Sequence, residues 1–86
     1  PNTKIFRNLA LSFEALDLGG NAPCVLNAAN EVVVEAFLNK RIGFLQMSEV
    51  IETAMQKVTF IKKPGLDDLI QTNAEARRIT ELLIED

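Results

Sequence analysis

The stretch Cys24–Leu38, CVLNAANEVVVEAFL, carries two carboxamides, Asn27 and Asn30, and a carboxylate, Glu31, inside the most apolar part of the chain. Residues of these types serve as ligands, as catalytic amides or as packing polar groups. Set on a helix at about 100° per residue, Asn27, Glu31, Glu35 and Asn39 form a polar stripe. Val25, Leu26, Ala29, Val32, Val33, Ala36 and Phe37 form a broad apolar face opposite, and Cys24, Val34 and Leu38 interrupt the stripe. Asn30 falls at the border beside Phe37. A helix apolar nearly all round is covered on more than one side, so this one is expected at the centre of the fold. A partly buried amide without a partner costs about 1 to 3 kcal/mol. Asn27 and Asn30 are therefore expected to bond backbone groups of neighbouring loops, such as those around Gly43 or Pro64, and a structural role is favoured over chemistry.

The rest of the chain supplies little else for a reaction. It has no histidine and one cysteine, Cys24, which removes the commonest general base and leaves no set of ligands for zinc. Glu31 and Glu35 have the i, i+4 spacing of carboxylate metal sites in bundles, but such sites need more ligands from facing helices, and the first helix offers only Glu14 and Asp17. Asp67-Asp68 are expected to cap a helix beginning there. Cys24, in a first helical turn, is expected to act as a small packing residue. Gly19-Gly20 is too short to cradle a phosphate, and neither a dinucleotide nor a P-loop glycine pattern occurs. No catalytic, cofactor-binding or metal site is expected within residues 1–86.

Composition narrows the class. Eighty-six residues, 48% of them apolar and 24% charged, make one domain with one modest core. The nine basic residues are scattered and the net charge is −3, so no stripe exists to neutralise a phosphate backbone and nucleic-acid binding is not expected. No apolar run reaches the roughly 18 residues that a membrane span needs. A single cysteine fits a reducing, cytoplasmic setting, and an opening on Pro1 suggests a piece of a longer protein.

The elements that position these residues follow from spacing. Phe6, Leu9, Ala10, Phe13 and Leu16 line one face of a first helix predicted over Ile5 to Leu18 and ended by Gly19-Gly20. Asn21 or Ala22 caps the second, with Pro23 in its first turn, and Lys40-Arg41 sit at its negative end before Gly43 breaks it. Met47, Val50, Ile51, Ala54, Met55 and Val58 mark the third. Lys62-Lys63-Pro64-Gly65 turns the chain, and Leu66, Leu69 and Ile70 suggest one short helical turn. Thr72-Asn73-Ala74-Glu75 reads as a capping box, so the last helix is expected to start near Asn73 with Ile79, Leu82 and Leu83 inward. The expected fold is all-α, a compact four-helix bundle with a short extra helical turn before the last helix. An acyl or peptidyl carrier is a bland alternative for such a bundle, but the Asp-Ser-Leu attachment serine is absent. A stand-alone helical protein-interaction module survives that screen.

Taken as a sequence, Ala22 to Leu38 followed by Ile42-Gly43-Phe44-Leu45 closely resembles the C-terminal region of the 1-deoxy-D-xylulose 5-phosphate reductoisomerases, in which Leu-Asn-Ala-Ala-Asn-Glu followed by Ala-Phe-Leu recurs. The order and spacing also agree at Pro1 and Phe6, across Leu9 to Leu16, at Leu66-Asp67-Asp68-Leu69 and at Asn73-Ala74-Glu75-Ala76-Arg77. Asn2 stands where the family usually has Asp, and Arg7-Asn8 replace a common Pro-Cys pair. The resemblance implies that residues 1–86 are the C-terminal helical domain of an enzyme converting 1-deoxy-D-xylulose 5-phosphate to 2-C-methyl-D-erythritol 4-phosphate in non-mevalonate isoprenoid precursor synthesis. It further implies NADPH and a divalent metal, Mg or Mn, held by upstream domains, and a homodimer formed through an upstream domain. Asn27, Asn30 and Glu31 are then family marks with a supporting role, and the fragment alone is expected to be inactive.

Overall fold

The structure, a computed structural model, describes residues 3–85, with side chains described from residue 7 onward. Pro1, Asn2 and the side chain of Phe6, which carry part of the expected opening, lie outside the described residues. Four helices follow in order: α1 (Thr3–Leu18), α2 (Ala22–Leu38), α3 (Met47–Lys57) and α4 (Leu66–Glu85). A 3-10 turn over Phe44–Gln46 leads into α3, and the described residues contain no strand. The expected all-α bundle is what forms.

Helix α2 is central, touching α1, α3 and α4. Its Ala29, Val32, Val33 and Ala36 pack with Leu11 of α1, Met47, Ile51 and Ala54 of α3, and Ile84 of α4. A smaller cluster joins Val25 and Ala28 to Val58 and Ala76. Alanines supply much of this contact, with Ala29, Ala36 and Ala54 in the first cluster and Ala28 and Ala76 in the second.

The helix ends obey local chemistry. At the end of α2, Lys40 takes the left-handed conformation (φ 62°). Its N–H donates to the Phe37 carbonyl and the Arg41 N–H to the Ala36 carbonyl, at 3.0 and 2.8 Å. This is a Schellman motif with a lysine where glycine is the usual residue, so α2 ends at Leu38, five residues before Gly43. The turns into α3 and α4 repeat one device. The Gly43 N–H donates to the Gln46 side chain, and the Gly65 N–H to the Asp68 carboxylate, both at 2.9 Å. Each is the return half of a capping box, and Asp68 thus caps as expected.

The expectations for α4 need correction. Helix α4 is continuous from Leu66, so there is no separate short turn, and Thr72 is not an N-cap but a buried residue in mid-helix. Its buried residues are Thr72, Ala76, Thr80 and Ile84; Ile79 and Leu83 pack half-buried against the core as expected, while Leu82 is exposed. The Thr80 hydroxyl turns back to the Ala76 carbonyl at 2.6 Å, which lets a polar residue sit in the core. In α1 the apolar stripe faces outward: Leu9, Phe13 and Leu16 are 51%, 63% and 68% exposed, and the buried residues are Leu11 and Ala15. Periodicity identified an apolar face but could not tell which partner covers it.

The joint between α1 and α2 holds the bundle together. Gly19 and Gly20 both have positive φ, and a Cβ on Gly20 would lie 2.2 Å from the Ile61 carbonyl oxygen. That closeness sets Asn21 beside the segment linking α3 to α4. The Asn21 N–H donates to the Ile61 carbonyl at 2.9 Å, and its Oδ1 accepts from the Ile61 N–H at 2.8 Å. Its Nδ2 donates to the Thr59 carbonyl and to Thr72 Oγ1, at 2.9 and 3.0 Å. Asn21 is fully buried, and its side chain does not cap α2, the role its position suggested.

Replacing Asn21 with alanine strands the Ile61 N–H, the Thr59 carbonyl and the Thr72 hydroxyl together. We expect a loss of about 3 kcal/mol in chemical denaturation, against which a change below about 1 kcal/mol would contradict the joint's role. Lys40→Gly relieves a left-handed lysine and should stabilise by about 0.5 to 1 kcal/mol, after allowing for the greater freedom of glycine in the unfolded chain. Thermal melting of the two chains side by side checks the sign.

Candidate functional site

Asn27 and Glu31 lie one turn apart on the outer side of α2, facing α4. Asn27 Nδ2 donates to Glu31 at 3.5 Å, and the Arg77 guanidinium donates to the other Glu31 oxygen at 2.5 Å. Arg77 Nε also donates to Asn73 Oδ1 at 2.8 Å. An exposed chain of four side chains, Asn27, Glu31, Arg77 and Asn73, therefore ties the second helix to the fourth. The hydrogen bond from Arg77, followed by its charge, holds the Glu31 carboxyl below the usual carboxylate range. Neither asparagine reaches the loops around Gly43 or Pro64: Asn27 bonds Glu31, and exposed Asn30 makes no hydrogen bond among the described residues.

Asn30 instead lines a groove of about 350 Å³ between α1 and α2, with Asn8 and Ser12 on the α1 wall, Asn27 beside it, and Leu11 and Ile51 below. The Ser12 hydroxyl donates to the Asn8 carbonyl at 3.1 Å, and Asn8 Oδ1 is buried with no partner. A second, apolar cleft of about 300 Å³ lies between α1, α3 and the segment after α3, with Leu18, Met55 and Phe60 in its walls and Glu14 and Glu52 at its rim. Arg7 pairs with Glu52 and lies 3.9 Å from Glu14, fastening α1 to α3 beside that cleft. Arg41 pairs with Glu81 at 3.2 Å, fastening the loop after α2 to α4.

Glu35 is exposed, and no group of three or more metal-ligating side chains occurs among the described residues. The Cys24 thiol is half-buried and donates to the Leu69 carbonyl at 3.6 Å. No described helix is long and apolar enough to cross a membrane. What the molecule offers outward is apolar: besides the α1 stripe, Val34, Phe37 and Leu38 of α2 and Phe44 and Leu45 of the next turn are exposed. The residue that sequence reasoning missed is Asn21. Its signal was the Gly-Gly-Asn run, since two glycines before a buried amide mark a close backbone approach.

The Glu31–Arg77 pair makes a pH-dependent contribution. Glu31 holds its proton less tightly in the folded chain than in the unfolded one, so its stabilisation is complete above the unfolded carboxyl value and disappears as pH falls through the lowered folded value. Between about pH 6 and pH 3 the native chain should lose more thermal stability than Glu31→Gln does; parallel losses would contradict the assignment.

Comparison with known proteins places this geometry. Residues 1–79 match the family model described as the DXP reductoisomerase C-terminal domain. The chain is 58% identical over 84 residues to the 1-deoxy-D-xylulose 5-phosphate reductoisomerases of Phocaeicola vulgatus and Bacteroides thetaiotaomicron, and 43% identical to that of Porphyromonas gingivalis. Each alignment covers 98% of this chain and 22% of the relative. Among solved structures, the reductoisomerase of Zymomonas mobilis in complex with NADPH superposes with a TM-score of 0.88 at 37% identity, over 100% of this chain and 23% of that one.

Proposed function

Since the chain belongs to the DXP reductoisomerase C-terminal domain family, we propose that it is the supporting C-terminal domain, residues 1–86, of an NADPH-dependent enzyme that isomerises and reduces 1-deoxy-D-xylulose 5-phosphate to 2-C-methyl-D-erythritol 4-phosphate. The chain spans about 22% of the length of the curated relatives it matches, so the reaction belongs to the whole protein. NADPH and a divalent metal, Mg or Mn, are assigned to the parts outside residues 1–86. The residues described here do not suit either: they contain no cluster of metal ligands and no glycine-rich nucleotide loop. A homodimer formed through another domain and a cytoplasmic setting complete the reading, the latter in keeping with a single unpaired thiol.

The observation that carries the supporting role is α1. A helix with apolar residues on two sides is a middle layer. Leu11 and Ala15 face the bundle, while Leu9, Phe13 and Leu16 face away and together make a patch too continuous for a finished surface. By this reading the outward stripe docks on the rest of the parent polypeptide and fixes the bundle beside it. A stand-alone interaction module would use the same stripe, but the relatives carry this region as a minor share of a longer chain, which favours docking within one polypeptide. Helix α2 contributes less outward apolar surface because three neighbours cover it.

In the full-length protein, Phe13→Ser should lower stability by about 2 kcal/mol, the transfer free energy of a large side chain buried by docking. An unchanged melting temperature would sink the docking role. Residues 1–86 by themselves should show no NADPH oxidation with substrate and Mg present, and turnover by that fragment would refute the supporting reading.

A further inference from the structure

We propose that the groove between α1 and α2 seats a non-helical loop of the same polypeptide from outside residues 1–86, held by hydrogen bonds from Asn27 and Asn30 to its main-chain peptide groups. The inference rests on the reading that this bundle is one domain of a longer chain, and it adds the mode of contact. Among the described residues no charged side chain lines the groove, so an anionic or cationic occupant would lose its hydration with nothing from them in return. Its polar lining is almost all carboxamide, and each amide offers both a donor and an acceptor, the same neutral pair that a peptide group presents. Asn30 spends none of this capacity within the described residues, and Asn27 spends one donor on a long bond to Glu31. Asn8 Oδ1, on the opposite wall, is buried without a partner, a state that native structures rarely leave uncorrected.

A loop is favoured over a helix because a helix satisfies its own backbone and would leave these amides idle, whereas an irregular segment needs partners for its N–H and carbonyl groups. Leu16 forms part of the groove wall and of the outward α1 stripe alike. A domain docked on the stripe would therefore reach the groove without a gap. The relatives supply an occupant by length alone, since the matched region is 22% of their chains.

The test is cysteine labelling of the full-length protein, followed peptide by peptide, with single substitutions Asn30→Cys in the groove, Phe13→Cys on the stripe and Arg78→Cys as an exposed control on α4. Each rate is divided by that of the same variant unfolded in denaturant. We expect Asn30→Cys to react at least ~10-fold more slowly than the control, as a site opened only by local unfolding does. Ser12→Cys, on the facing wall, repeats the measurement should Asn30→Cys fail to fold. Slow Phe13→Cys with fast labelling at both groove positions would overturn the groove proposal and leave the docking role intact. Fast labelling at all three would overturn both. Protection of the groove that grows with protein concentration would identify a second copy as the occupant and overturn the proposal.

Discussion

The arrangement of this bundle depends on one buried amide. Asn21 sits where α1 turns into α2, yet its hydrogen bonds run to Thr59 and Ile61 after α3 and to Thr72 in the middle of α4. A neutral amide with two donors and an acceptor is well suited to this place. Alanine would leave polar backbone stranded, and aspartate would bring a charge with no basic partner among those bonds. The glycine before it is equally constrained, because any side chain would collide with the Ile61 carbonyl. The hydrophobic contacts then supply the bulk of the stability, but apolar contact is non-directional, and the amide is what specifies which segment meets which.

Much of this was legible from spacing. The second and third helices announced themselves through apolar residues at three-four intervals, and the central place of α2 followed from its being apolar nearly all round. The reading failed where a residue type has two uses. Thr72 with Glu75 has the pattern of a capping box, but Gly65 and Asp68 start the helix two turns earlier, and the threonine hydroxyl is needed inside by Asn21. Lys40 in a left-handed conformation gives no warning in sequence, since glycine or asparagine is the expected residue there. The carboxamides of α2 were readable as polar groups at a border, but their partners were not: a side chain on the same helix serves Asn27, and Asn30 makes no hydrogen bond among the described residues.

The outward stripe of α1 shows a different limit. A hydrophobic pattern reports that a face is covered, not by what. The buried side is small, Leu11 and Ala15, while the larger residues point away. In a chain that makes up about a fifth of the length of its relatives, this outward face is what the docking proposal rests on.

The Asn21 joint also has a temporal side. Its partners lie 38, 40 and 51 residues further along the chain. At the usual pace of synthesis, about 5 to 20 residues per second, the ribosome needs roughly 3 to 10 s after making Asn21 to produce Thr72. Each helix can form in well under a millisecond of that interval, so α1 and α2 wait as adjacent, unfastened cylinders while the amide is bonded only to water. The joint is thus a late event in the life of each new molecule. It closes only once α4 has emerged, and until then the apolar faces that it will order stand open to chaperones.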